Sequence, residues 1–359
     1  MRVKSYILTL LLVTSMCGYS QKNVRVNAIK ASDYGVVYSL PKTSFEITLT
    51  IKKSTYQRGD FYTFAQRYLA IEDPVIENRV VYSLEDINIE NKGIPDKSNS
   101  FMVAFRPKSI EPFVFLREDG VIISINAEQE TEKSAELVLP AAVFPSENPR
   151  RYLSQETLMA GSTSKQAELV ARQIFDLRRN RSDILSGEAD NMPPDGNAYN
   201  VVMSEIDKQE KALTELFAGS LKTEYFTTTV VVVPESNNID KQVIARFSEK
   251  LGAVDVDDLA GEPIYLSLIN KTPKVELQLS DKEKQNLEKK LSQGIVYNIP
   301  AKADLKVEFK NKAIKEIEVD VVQFGTKDLL ERKMFDNNKQ PVKVYFYPEL
   351  GAIKQVIQL

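Results

Sequence analysis

The sequence predicts an α+β, β-rich fold in which sandwich-like β units flank a long antiparallel α-helical hairpin. Three observations predict it. Short runs that alternate apolar and polar residues, separated by turn residues, fill the segment from Val24 to Asn126 and return after Gly219. Between residues 163 and 219, two longer stretches carry apolar residues at steps of three and four. A turn-rich break, Gly187 to Gly196, separates those two stretches.

Ahead of the first unit, residues 1–20 read as a cleavable signal peptide. Arg2 and Lys4 precede the apolar run Tyr6 to Val13, and Gly18, Tyr19 and Ser20 lead to a start near Gln21. A membrane-spanning helix needs ~20 apolar residues, and this run is far shorter. Cys17 offers a lipid anchor as a second reading, but Met16 stands where that processing wants a small residue. Soluble export is the favoured expectation, and no transmembrane segment is expected elsewhere.

The N-terminal β domain is expected over 21–160. Val36 to Leu40 stops at Pro41, Phe45 to Ile51 alternates at period two, and Val80 to Tyr82, Phe101 to Phe105 and Val121 to Ile125 repeat the pattern. One amphipathic helix from Asp60 interrupts them, with Phe61, Phe64, Ala65, Tyr68 and Leu69 on a face that covers a sheet.

The helical hairpin is expected over 161–220. Thr163 and Gln166 have capping-box spacing, and Ala167, Val170, Ile174, Leu177 and Ile184 make a narrow apolar seam. Asp195 is placed to cap a second helix with Val202, Ile206, Gln209, Leu213 and Leu216 as the matching seam. A β segment follows at 221–282, packing on the N-terminal or central region. A charged helix from Ser280 to Gly294 then leads into a C-terminal β-sandwich-like domain at 283–359, closing on a hairpin of Val342 to Tyr347 with Ala352 to Gln358. One echo stands out: Gly35-Val-Val-Tyr-Ser-Leu-Pro41 returns as Gly294-Ile-Val-Tyr-Asn-Ile-Pro300, each followed by an alternating strand.

Residue inventory excludes more chemistry than it suggests. The chain has no His and one Cys, which lies in the signal, so His-activated nucleophiles and the usual zinc or copper sites lose their ligands. No Gly-rich phosphate loop is present. With 47 Lys and Arg against 50 Asp and Glu, the balance gives no electrostatic footprint for nucleic acid. Ser162 and Lys165 match the S-x-x-K spacing of serine enzymes, yet S-D-N and K-T-G are absent and a helix start explains the same residues. Asp255, Asp257 and Asp258 near Gly261, and Glu188, Asp190 and Asp195 in the turn-rich break, read as solvated turns before they read as calcium loops. No catalytic, cofactor-binding or metal residue is assigned, and no cofactor is expected.

Five segments carry a resemblance: Gly35-Val-Val-Tyr-Ser-Leu-Pro-Lys-Thr43; Phe61 to Leu69; Pro193 to Gly196 with Lys208 to Gly219; Arg246 to Gly252 with Asp257 to Tyr265; and Val322-Gln-Phe-Gly325. Through them the chain resembles an uncharacterised family of exported proteins of about this length from Bacteroides and relatives, classed as a domain of unknown function. The resemblance brings no activity or site residue. It implies a Gram-negative host, and hence the periplasm or outer surface. The expected function is a non-catalytic interaction or scaffold protein of the cell envelope, engaging a protein partner or itself through the hairpin. The alternative is a carbohydrate-binding or carbohydrate-processing protein that uses carboxylates and the 15 Tyr.

Overall fold

A computed structural model describes residues 35–104, 113–127, 137–193, 196–272, 294–335 and 342–358. The described residues open with β1 (Gly35–Gln57), followed by the short helix α1 (Ala65–Leu69) and by β2 (Arg79–Ala104). After them come β3 (Val114–Leu116), β4 (Ile122–Ile125) and the helices α2 (Gln155–Met159), α3 (Thr163–Ser186) and α4 (Asn197–Ala218). The remaining strands are β5 (Ser220–Val232), β6 (Ile239–Ser248), β7 (Gly252–Val254), β8 (Glu262–Asn270), β9 (Gly294–Phe309), β10 (Lys312–Glu331), β11 (Val342–Tyr347) and β12 (Ala352–Gln358). Among the described residues they form three sheets, ordered β2-β1-β5, β10-β9-β8-β6-β7 and β12-β11-β4-β3.

This overturns the expected architecture. The chain is mostly β and built as antiparallel sheets, not as two sandwich-like units on either side of a long helical hairpin. From Phe45 to Gln57, β1 pairs with β5, on the far side of α1 to α4 in sequence, and β4 pairs with β11 near the other end of the chain. Runs that looked separate also fuse: Val36 to Leu40 and Phe45 to Ile51 are both β1, and Val80 to Tyr82 shares β2 with Phe101.

No long helical hairpin organises the fold. The expected seam is buried where α3 and α4 meet α1, at Ala167, Val170, Ile174, Leu213 and Leu216 with Phe61, Ala65 and Phe217, and again at Ile184. Farther out Val202 is exposed, and polar contacts replace apolar ones, Arg178 to Glu210 at 2.7 Å and Arg181 to Asp207 at 2.9 Å. The helix after Gly59 is core, as its spacing implied, but it packs on α3 and α4 and not across a sheet. Periodicity identifies the apolar face of a helix, and it does not say what covers that face.

Two larger cores lie between the sheets. Phe45, Ile47, Leu49 and Ile51 alternate along β1 with complete burial, and share a core with Ile264, Leu266 and Leu268 of β8 and Leu305 and Val307 of β9. Each such side chain contributes about 1.5–3 kcal/mol relative to exposure. The second core gathers Tyr38 and Leu40 from the start of β1, Ile295 and Val296 from the start of β9, Ile122 and Ile125 of β4, and Val344 and Phe346 of β11. Thus β1 and β9 each serve both cores.

Strand irregularities let them do so. Along β1 and β2 the ladder jumps from Ser39 opposite Ser100 to Pro41 opposite Pro95, leaving residues 96–99 outside the pairing. Along β9 and β10 it jumps from Ile299 opposite Thr326 to Ala301 opposite Val321, leaving residues 322–325 outside. A smaller slip follows in each hairpin, past Glu85 in one and Ile314 in the other. Such bulges bend a strand and deepen its twist, and they are positions where a proline without an N–H is tolerated. Among the described residues the sequence echo therefore marks a repeated structural plan: a long strand pair bent at Pro41 or Pro300.

The expected C-terminal hairpin is present as β11 and β12, turning through Tyr347 to Gly351. Among the described residues no helix is long and apolar enough to cross a membrane. The signal segment with Cys17, the charged helix from Ser280, and Asp195 lie outside the described residues.

Candidate functional site

The polar groups of the two bent hairpins are spent on one another. The Tyr38 hydroxyl donates to the Val296 carbonyl at 3.0 Å and accepts from the Val296 amide at 2.7 Å, both buried. Asn298 donates through Nδ2 to the carbonyls of Pro41 at 3.0 Å and Leu350 at 2.8 Å. Gln323, in the second bulge, receives the Thr43 amide at 3.0 Å and donates to the carbonyls of Thr43 and Pro234. Val322 adds a bond from its amide to Thr43 Oγ1 at 2.9 Å. The β11–β12 turn closes on the same place, since a Cβ on Gly351 would stand 2.5 Å from Pro41 Cδ.

The two bulges differ in what they hold. Residues 322–325 reach out to β1, and a Cβ on Gly325 would fall 1.9 Å from the Ile299 carbonyl oxygen, so this approach requires glycine. Residues 96–99 close on themselves, with Asp96 accepting from Ser98 N, Ser98 Oγ and Asn99 Nδ2. Burial raises the pKa of the Asp96 carboxyl, but these donors and Lys42 outweigh it and hold the group below its ordinary value. Beside them, burial lowers the pKa of Lys327, which donates to Asn99 Oδ1 and lies over the Phe101 ring.

Among the described residues a cleft lies elsewhere, where the end of β1 meets the end of α4. It encloses about 380 Å³ between Gln57 to Asp60, Pro145 to Arg150, and Glu215, Leu216 and Ser220. Gly59 permits it, because a Cβ there would lie 2.3 Å from the Leu216 carbonyl oxygen. The Phe61 amide satisfies that same carbonyl at 2.7 Å, one of the groups a helix end leaves without an internal partner. On the far wall the Glu215 carboxylate accepts from the Ser146 amide at 3.1 Å and from Ser146 Oγ at 2.9 Å, fastening the 145–150 segment to α4. Asp60 and Arg150 face each other at 3.8 Å on the rim, both exposed, and Arg58 stacks 4.9 Å above Tyr62. The wall is polar and mixed in charge, suited to holding a polar group; Glu215 is already engaged.

The residues weighed from sequence are not in this cleft. Ser162 caps α3 by accepting the Lys165 amide at 3.3 Å, one residue before the expected Thr163, and Lys165 Nζ sits 3.0 Å from Glu168. Lys165 is thus turned to a carboxylate and not to the Ser162 hydroxyl. In the turn containing Asp255, Asp257 and Asp258, Asp258 Oδ1 accepts the Ala260 amide, while Arg246 takes the carbonyls of Val256 at 2.6 Å and Gly261 at 3.0 Å. Those carbonyls are therefore engaged by a cation. The Glu188 amide closes the end of α3 on the Asp183 carbonyl. Among the described residues no three His, Cys, Asp or Glu side chains gather to hold a metal. The cleft residues were missed because three distant segments supply them; Gly59 and Gly219, each pressed against backbone, were the available signal.

No curated protein and no solved structure matches the chain. Residues 34–354 match the family described as a domain of unknown function, DUF4831, which takes in both bent hairpins, the helices and the cleft. The chain belongs to the DUF4831 family.

Proposed function

We propose that this chain is an exported cell-envelope protein, in the periplasm or at the outer surface of a Gram-negative bacterium, that works by binding and not by catalysis. One observation carries the reading. Tyr38, Gln323 and Arg246, three polar side chains of the recognisable segments, are committed to backbone groups of other strands and turns, as is Asn298 of the echo. What those segments specify is a shape. The mixed-charge cleft, with its one walled-in carboxylate held by Ser146, fits a docking role better than proton transfer. Export is supported by the order of basic, apolar and small residues in 1–20.

The test is fractionation of the native host followed by in-cell crosslinking and pull-down of the tagged full-length chain. The reading expects the protein in the envelope fraction, shortened at its N-terminus, with a reproducible crosslinked partner or a crosslinked second copy. Recovery at full length in the cytoplasm would overturn export. Release of reducing sugar from envelope glycans, lost on Asp60→Asn or Glu215→Gln substitution, would replace binding with catalysis.

A further inference from the structure

Among the described residues one edge of β5 is open apart from a single bridge. Thr223 exchanges two backbone bonds with Val143, its amide to the Val143 carbonyl at 2.7 Å and its carbonyl to the Val143 amide at 2.9 Å. Backbone direction alternates along a strand, so Tyr225, Thr227, Thr229 and Val231 turn their N–H and C=O groups to the same side, away from β1. Among the described residues no backbone group meets them there. From Tyr225 to Val233 there is no charge, glycine or proline, although edge strands are ordinarily blunted by such residues. Threonine and valine fill the run, and both favour strand pairing.

The segment leading up to the Val143 bridge is built to continue it. Residues 137–142 are neither helix nor strand and are exposed, Val138 by 87%. Carried back from Val143 in the same antiparallel register, Ala141, Leu139 and Leu137 meet Tyr225, Thr227 and Thr229, and all three have an N–H to give. Pro140 falls at a position facing outward, where no N–H is needed and where it would blunt the new edge. Pro145 falls opposite Leu221 without an N–H, so the ladder can lengthen only toward residue 137. In this register Val138 lies opposite Thr228, on the face where Phe226 is 36% exposed and Val230 packs on the larger core. Pairing therefore buries the most exposed apolar side chain of the segment.

We propose that the free edge of β5 is a strand-accepting surface whose occupant is residues 137–142 of the same chain, which add a fourth strand to the β2-β1-β5 sheet. Val138 and Thr228 form a pair without mutual hydrogen bonds, at ~4.5 Å between Cα atoms, a spacing that a disulfide spans. In the full-length chain carrying Cys17→Ser, the pair Val138→Cys with Thr228→Cys is expected to close within one chain on oxidation. The pair Val138→Cys with Thr227→Cys, one residue out of register and on the other face, is expected to close at least about tenfold more slowly. Equal rates, or a link between two chains, overturns the proposal. A measurement without cysteines is amide exchange at Tyr225, Thr227 and Thr229, expected at least about tenfold slower in the natural sequence than in Ala141→Pro, which removes an inward N–H. Equal exchange in the two proteins overturns it as well.

Discussion

The hydroxyl of Tyr38 bridges both backbone groups of Val296, accepting from its amide and donating to its carbonyl, across 258 residues of sequence. One side chain thereby replaces a ladder between the starts of β1 and β9, which lie in one core but in different sheets. Tyr38→Phe keeps the ring packed and strands two buried backbone groups. Leaving a buried polar group unpaired costs about 1–3 kcal/mol. A fall of about 2–3 kcal/mol in the urea midpoint analysis, with unchanged m-value, is expected.

The same tyrosine sets an alkaline limit. Burial pushes its pKa far above the ordinary value of 10.0, outweighing the bond to Val296. Because the folded-state value is the higher one, its contribution is fully present below pH 10 and declines as the pH rises above it toward the folded value. Stability measured from pH 9 to 11.5 should fall more steeply in the natural sequence than in Tyr38→Phe.

An acid limit comes from Asp119. Arg117 donates to both its oxygens, at 2.8 and 2.6 Å, and also to the Gly93 carbonyl, and this bonding holds the Asp119 carboxyl below its ordinary value of 3.8. The folded-state value is the lower one, so the contribution is present above about pH 4 and is lost as the pH falls through it. Asp119→Asn should flatten the loss of stability between pH 4 and 2.5.

Gly325→Ala tests the close approach of the second bulge. Its Cβ would fall 1.9 Å from the Ile299 carbonyl oxygen, far inside van der Waals contact, so backbone must move and the bonds from Gln323 to Thr43 and Pro234 are strained. A cost of about 3 kcal/mol is expected, at the upper end of overpacking effects, and a thermal shift assay reads it. Glu215→Ala is the contrast: loss of the Ser146 latch should speed proteolysis of the 143–150 segment several-fold and leave the midpoint of global unfolding within about 1 kcal/mol.

Much of the strand content was legible in the alternation of Phe45, Ile47, Leu49 and Ile51, in the valine run of β5 and in the β11–β12 hairpin, because period two is a local property. The architecture was not. Nothing local in Leu40-Pro41 says that the strand continues through the proline by means of a four-residue bulge on its partner, or that Pro300 does the same. Likewise the three-and-four spacing of α3 and α4 matched the buried faces only in part, since Val202 is exposed, and Phe61 and Ala65 of the α1 region compete for those faces, which no spacing reveals. The cleft was illegible for a related reason, since Arg58, Ser146 and Glu215 come together only after β1 and α4 are in place.

Tyr38, Asn298 and Gln323 weld the two bent hairpins into one body. The most direct test is hydrogen exchange measured through a urea titration, following β1, β2, β9 and β10 separately. All four are expected to lose protection in one shared transition, which Tyr38→Phe moves to lower urea as a unit. Loss of β9 and β10 at a urea concentration where β1 and β2 remain protected would contradict it.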